Sequence, residues 1–296
     1  MSIENSRNNN TKDSIVVAGV PEHFNLPWHL AIESGQFKDH GLNVVFDEVP
    51  GGTGEMTQRL SNRDCDVSVV LAEGGVAALL NGASGWIVKT FVDSPLLWGI
   101  HVSGKSDIAQ PEQIKNSRYA ISRHGSGSHL MSIVDASERG WNTDSMNFVE
   151  VGSLNGARKA LSENSVDVFF WERFTTSPLV RSGEFRRLTD RAADWPAFVI
   201  CATDEMVQTR REELRLMLEI LNNSCRDLMQ SPNACEIIAR RYSIDLEEVE
   251  SWFQLTRWNT ELGLNKEPLE RIKNYLSRLG IINENPVRSE ELWFNL

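Results

Sequence analysis

The sequence offers little from which a covalent or metal-stapled scaffold could be built. It has 296 residues and only four cysteines, Cys65, Cys201, Cys225 and Cys235, none in a C-x-x-C pair. A zinc site has no ligand spacing to rest on, and the thiols read as free and buried. No run of about 18 apolar residues occurs, which excludes a membrane-spanning helix. Basic surplus is missing too: 30 Lys and Arg against 41 Asp and Glu leave a net charge of −11, the wrong sign for a nucleic-acid footprint. A small anion stays open, because a local array of donors can hold one on an acidic protein. The opening residues Met1–Asp13 are polar and lack the apolar core of a signal peptide. They read as a disordered lead-in. The expectation is a cytoplasmic protein, or a periplasmic or lipid-anchored one if a leader was removed.

Catalytic signatures are equally scarce. Gly51-Gly52-Thr53-Gly54 lacks the Lys-Ser/Thr of a P-loop, and Ser126 between Gly125 and Gly127 does not have the spacing of a G-x-S-x-G elbow. His124 and His129 have no third ligand nearby. No catalytic residue, metal site or cofactor is assigned, and the residues favour binding over catalysis.

What is present is a rhythm. Strand-like runs at Ser14–Val20, Asn43–Val49, Asp66–Leu71 and Trp86–Val92 alternate with helical stretches at Trp28–Phe37, Glu55–Leu60 and Gly75–Leu80. A second series has strands at Arg118–Ser122, Met146–Val151, Val166–Phe170 and Phe185–Leu188, with helices at Ser128–Arg139, Leu154–Glu163 and Phe174–Ser182. Such alternation predicts parallel βαβ units with right-handed crossovers. Phe198–Thr203 reads as one more strand, returning to the first sheet. From Asp204 the pattern is helical: Glu205–Gln230, Asn233–Tyr242, Leu246–Asn259, Pro268–Leu279 and a short piece at Ser289–Phe294. No internal repeat is evident.

The stretch Tyr119–His129, YAISRHGSGSH, carries the sharpest signal. A strand turns through Arg123, His124 and Gly125-Ser126-Gly127-Ser128 into an apolar helical pattern. The first N–H groups of that helix lack intrahelical partners, and with the helix dipole and Arg123 they favour an anionic group. The competing reading is a tight turn in which Arg123 pairs with a carboxylate and glycine relieves strain.

Several segments, taken together in order, resemble one known family. Glu33-Ser34-Gly35-Gln36-Phe37 followed by Gly41-Leu42-Asn43-Val44 is similar to the "EKGYF…GLDV" signature of type II periplasmic binding proteins. Pro50–Thr53, Asn62–Val67, Gly125–Ser128, and Ala160-Leu161 with Val166–Val168 follow in the family's order. The resemblance spans roughly residues 14 to 230. It points to the branch that includes alkanesulfonate-, nitrate- and taurine-binding proteins and the thiamine-pyrimidine synthases.

This resemblance implies an α/β, two-lobed Venus flytrap, the second lobe inserted in the first, with a helical C-terminal region. The expected division is 1–13 lead-in, 14–100 plus 200–296 lobe I, and 101–199 lobe II, with hinges near Asp93–Gly99 and Ala197–Ala202. It implies a small-molecule ligand, expected to be anionic, and an ABC permease as partner if the protein is exported. A cytoplasmic sensor derived from a binding protein fits as well. Open α/β sheets bind ligands beyond the carboxyl ends of their strands. That rule selects the loops His23–Trp28, Gly51–Glu55, Ala72–Gly75, Arg123–Ser128 and Trp171–Thr175, with Trp98 beside the hinge. The candidate ligand-binding residues are therefore His23, Trp28, Thr53, Glu73, Trp98, Arg123, Gly125, Ser126, Gly127, Ser128, Trp171 and Glu172. The alternative is an enzyme like the thiamine-pyrimidine synthases, which use pyridoxal phosphate on a Lys near the third strand. Here Val69–Gly75 has no Lys and no His, and no Cys cluster occurs. The nearest lysine of interest is Lys89.

Overall fold

The structure, a computed structural model, describes residues 14–282 and 292–296. The lead-in expected at 1–13 lies outside the described residues.

Two five-stranded sheets organise the chain. The first contains β1 (Ser14–Gly19), β2 (Asn43–Glu48), β3 (Val67–Leu71), β4 (Trp86–Val92) and β10 (Phe198–Ala202) in the order β2-β1-β3-β10-β4. The second contains β5 (Leu97–Ser103), β6 (Arg118–Ile121), β7 (Asn147–Glu150), β8 (Val168–Glu172) and β9 (Phe185–Ala192) in the order β7-β6-β8-β5-β9. The orders correspond strand for strand, so a topological repeat exists that the sequence does not display.

Both sheets are mixed: the expected parallel βαβ units are present, and each sheet also contains one antiparallel strand. β1 runs parallel to β2 and β3, and β6 parallel to β7 and β8. β10 is antiparallel to β3 and β4, and β5 to β8 and β9. The reason is connectivity. β5 and β10 are the strands by which the chain crosses from one sheet to the other. Each enters at the carboxyl ends of its new neighbours and so must run against them. The hinge expected near Asp93–Gly99 runs into β5, an inner strand of the second sheet to which Trp98 and Gly99 belong.

The crossings are Asp93–Leu96 and Ala193–Ala197. They are tied together by hydrogen bonds from Ala193 N to Leu96 O (3.3 Å) and from Ala197 N to Ser94 O (3.0 Å). The N–H of Ala72 donates to Ala197 O at 3.0 Å, fixing the second crossing to the first lobe.

Helices cover the sheets. In the first lobe α1 (Leu26–Glu33) and α2 (Gln36–Asp39) replace the single helix expected over Trp28–Phe37. Gly35 separates them with φ +80°, a left-handed conformation that ends the first helix. α3 (Thr53–Ser61) and α4 (Ala72–Leu80) follow β2 and β3. The second lobe adds α5 (Gly127–Glu138), α6 (Leu154–Ser162) and α7 (Ser177–Arg181), the last shorter than expected.

The tail contains α8 (Asp204–Gln208), α9 (Arg211–Gln230), α10 (Ala234–Tyr242), α11 (Leu246–Leu255) and α12 (Lys266–Arg278). The expected helix Glu205–Gln230 is thus two helices, broken at Thr209 and Arg210. α9 packs on α1, and α12 packs on α4. Trp293 lies in a bridge to Ile87 rather than in a helix, extending the β4 edge, and positions 289–291 lie outside the described residues. Among the described residues no helix is long and apolar enough to cross a membrane.

Candidate functional site

β1, β3, β6 and β8 direct their carboxyl ends toward the space between the lobes, so the residues that follow them converge there. A cleft is formed by Val20 and Glu22 after β1, Gly51–Thr53 before α3, and Leu71 at the end of β3. Ser122, Ser126, Gly127 and Ser128 supply its wall after β6, and Trp171 and Glu172 do so at the end of β8. Leu96 of the first crossing, Trp98 at the start of β5 and Phe198 at the start of β10 close it. The space enclosed is about 50 Å³, room for only a few heavy atoms with the lobes this close.

Seven of the twelve candidate residues line this cleft: Thr53, Trp98, Ser126, Gly127, Ser128, Trp171 and Glu172. Three of them carry buried polar atoms without partners among the described residues, namely Trp98 Nε1, Trp171 Nε1 and Glu172 Oε1. Buried polar groups are almost always paired, so such atoms in a cleft wall mark a place where something else completes them. The other oxygen of Glu172 is occupied: Thr175 N–H donates to Oε2 at 2.6 Å and Thr175 Oγ1 at 2.8 Å. Burial lifts the Glu172 carboxyl to about 7.

The serine loop is more self-contained than expected. Ser122 N–H donates to Ser128 Oγ at 3.0 Å, and the hydroxyls of Ser126 and Ser128 bond one another at 3.0 Å. These contacts brace the turn, leaving the first-turn N–H groups of α5 as its donors. Gly125 adopts φ +79°, and its N–H donates to His129 Nδ1 at 3.1 Å.

Arg123 and Gly125 do not line the cleft. They face a neighbouring cavity of about 510 Å³ between α3, α4 and α5, together with Asn81, His124, His129 and one side of Thr53. Arg123 lies over Gly51 and Gly54, and its guanidinium stands 3.9 Å from Glu55 of the first lobe. The structure therefore pairs Arg123 with a carboxylate. Thr53 is also engaged, its Oγ1 accepting from Leu71 N–H at 3.1 Å.

Three other candidates sit elsewhere. Trp28 is wholly buried among Phe37, Phe46 and Phe91, because α1 turns it into the core of the first lobe. His23 is boxed by Phe24, Tyr242 and Trp252, since the tail helices cover that turn. Its burial without a charge partner pulls it down to about 3. Glu73 lies beneath the second crossing, where Trp195 Nε1 donates to its Oε2 at 2.9 Å. Burial raises it to about 7.

Glu22 is the charged lining residue that sequence reasoning missed, alongside Val20, Gly51, Gly52, Leu71, Leu96, Ser122 and Phe198. It follows Pro21 in an irregular turn and carries no pattern, although it is also a residue at a strand's carboxyl end. Burial and the nearby Glu172 raise its carboxyl to about 8. Lys89 is fully buried in β4, its Nζ held by Asn259 O (3.1 Å), Asn259 Oδ1 (2.9 Å) and Glu261 O. It pins the tail to the first sheet and lines neither cavity. Among the described residues no group of three His, Cys, Asp or Glu could hold a metal ion.

Comparison with known proteins adds a family context. Residues 98–190 match the family model described as Ca3427-like PBP. The structure resembles that of the Candida albicans CA3427 gene product, itself described as having the generic periplasmic binding protein fold. That match has TM-score 0.85 and 24% identity over 96% of this chain and 98% of that one. It resembles the alkanesulfonate-binding protein SsuA of Xanthomonas axonopodis pv. citri bound to MOPS (TM-score 0.78, 15% identity, 93% and 96% covered). It also resembles the periplasmic aliphatic sulphonate binding protein SsuA of Escherichia coli (TM-score 0.72, 14% identity, 95% and 97% covered). A comparison with curated proteins gave no match. Two corresponding mixed sheets, a cleft at their carboxyl ends and these likenesses together identify the chain as having the two-lobed periplasmic binding protein fold, with a second lobe similar to the Ca3427-like proteins.

Proposed function

We propose that this chain binds a small organic solute in the cleft between its lobes and works by closing on it. The observation that carries the reading is the set of partnerless buried atoms in one wall: the indole N–H groups of Trp98 and Trp171 and Glu172 Oε1. The two indole donors, beside the open first turn of α5, suit an acceptor group on the ligand such as a carboxylate or sulfonate. The indole rings, with Leu71, Leu96 and Phe198, suit an apolar or planar body.

The expected anionic group is kept in this form, held by amides and indoles, with Arg123 outside the cleft. Two of the structural neighbours are sulfonate-binding proteins by name, which supports an acid-ended solute. Delivery of that solute to an ABC permease is the role this architecture supports best. Thermal-shift measurements with a series of short alkanesulfonates and aromatic carboxylates test the reading, paired with small-angle scattering. Binding should raise Tm and hold the compact form, and Trp171→Ala should abolish the shift. If no acid of either series shifts Tm at millimolar concentration, the proposal fails.

A further inference from the structure

Among the described residues, Glu22 and Glu172 are the charged ones that line the cleft. One is supplied by each lobe, from the carboxyl ends of β1 and β8, so they come together only when the lobes are apposed. Among the described residues no Lys, Arg or His lines the same space. Arg173, next in sequence to Glu172, is committed to Asp190 at 2.8 Å and to Glu248 at 3.4 Å. His23, beside Glu22 in the chain, is enclosed by its aromatic box. Arg123 faces the neighbouring cavity.

A buried carboxyl facing a second, half-buried one across a cleft is costly to ionise unless a cation arrives with the ligand. We infer that the Glu22–Glu172 pair is a subsite for a positively charged nitrogen, an ammonium or amidinium group carried by the bound solute. The inference rests on the cleft being the solute site and adds a second chemical end to the ligand. Glu172 Oε1 is already in place for it: the residue is 3% exposed, and the oxygen has no partner, whereas Oε2 is fixed by Thr175. Trp98 and Trp171 line the same cleft, and indole rings are the strongest aromatic partners of charged nitrogen. A solute with an acid at one position and a charged nitrogen at another would therefore satisfy indole and amide donors and both carboxyls at once.

The subsite also has a consequence for pH. Without ligand the two carboxyls hold their protons unusually high, Glu22 at about 8 through burial and the nearby Glu172, and Glu172 at about 7 through burial. A cation binds the ionised pair, so its binding displaces protons and strengthens as pH rises. A purely anionic ligand would show the opposite slope.

Calorimetric titration of the full chain with benzamidinium, benzoate and 4-amidinobenzoate at pH 6 and pH 8 tests this. The amidinium probes should bind more tightly at pH 8 than at pH 6 by well over about tenfold, since loss of the Glu172 proton alone changes affinity about tenfold over this interval and loss of the Glu22 proton adds to it. 4-Amidinobenzoate should exceed benzoate by at least about tenfold. Glu22→Gln should weaken both amidinium probes, flatten their pH dependence and leave benzoate binding no weaker than in wild type. Because Glu172 also anchors Thr175, Glu172→Gln is a supporting variant, to be read only with a wild-type circular dichroism spectrum. If benzoate binds as well as 4-amidinobenzoate, or Glu22→Gln binds the amidinium probes like wild type, the inference is overturned while the cleft remains a solute site. If none of the three gives heat or a Tm shift, the solute reading and the inference fall together.

Discussion

Gly127 at the start of α5 packs against Leu71 at the end of β3 so closely that a Cβ on the glycine would stand 2.3 Å from Leu71 Cδ1. The same atom would be 2.6 Å from the Trp98 ring. Leu71 belongs to the first sheet and Gly127 to the second lobe, so this missing side chain is what lets the lobes meet.

Gly127→Val should therefore act as a wedge. The radius of gyration by small-angle scattering should rise, and affinity for any cleft ligand should fall by about tenfold or more, each factor of ten being about 1.4 kcal/mol. An unchanged radius and unchanged affinity would show that the lobes absorb the extra methyl groups elsewhere.

Trp28 was a candidate ligand platform and is instead core, with no exposed surface. Trp28→Ala should cost about 3–5 kcal/mol in denaturant unfolding, through lost burial and an unfilled cavity. Any effect on ligand binding should follow that loss of folded protein. A variant with native stability that no longer binds would return Trp28 to the site.

Glu73 ties the second crossing to the first lobe through Trp195 and titrates at about 7, raised by burial. A folded pKa above the unfolded value means that the stabilisation is complete below about 4.5 and is lost as pH rises through about 7. Buried His23 and His101, both pulled down to about 3, act in the opposite sense, their contribution being present above about 6.5 and lost as pH falls. The total profile is thus a sum of opposed slopes, and the variant isolates one of them. Glu73→Gln should gain on wild type between pH 5 and pH 7 by up to about 1.4 kcal/mol per pH unit. Parallel stability–pH curves for the two proteins would rule out a protonated Glu73 in the fold.

Much of the fold is legible because burial on both faces writes strands as apolar runs. Val67–Leu71 and Phe198–Ala202 are of this kind and were located within a residue or two. β5 escaped because Leu97–Ser103 follows Asp93-Ser94-Pro95 and contains Gly99 and His101, so it reads as a connection. β9 was cut short at Leu188 because Arg186, Arg187, Asp190 and Arg191 place charge on a sheet edge, where strands tolerate it. In the site, Ser126, Gly127, Ser128, Trp171 and Glu172 followed from the strand-end rule. Glu22 sits at a strand end too, but nothing in Pro21-Glu22 distinguishes it from a solvated turn.

The sequence by itself determined the alternating elements, the strand-to-helix turn at Gly125–Ser128 and the absence of a Lys at the third strand's end. These are local matters, set by apolar periodicity, glycine placement and residue identity. Tertiary structure alone decided that β5 and β10 run against their neighbours, that Arg123 turns to Glu55, and that Trp28 and His23 are packed away. It also brought Glu22 and Glu172 into one cleft from positions 150 residues apart. Which side chains face each other across two lobes depends on the crossings and the approach of whole sheets, and no periodicity along the chain encodes that distance.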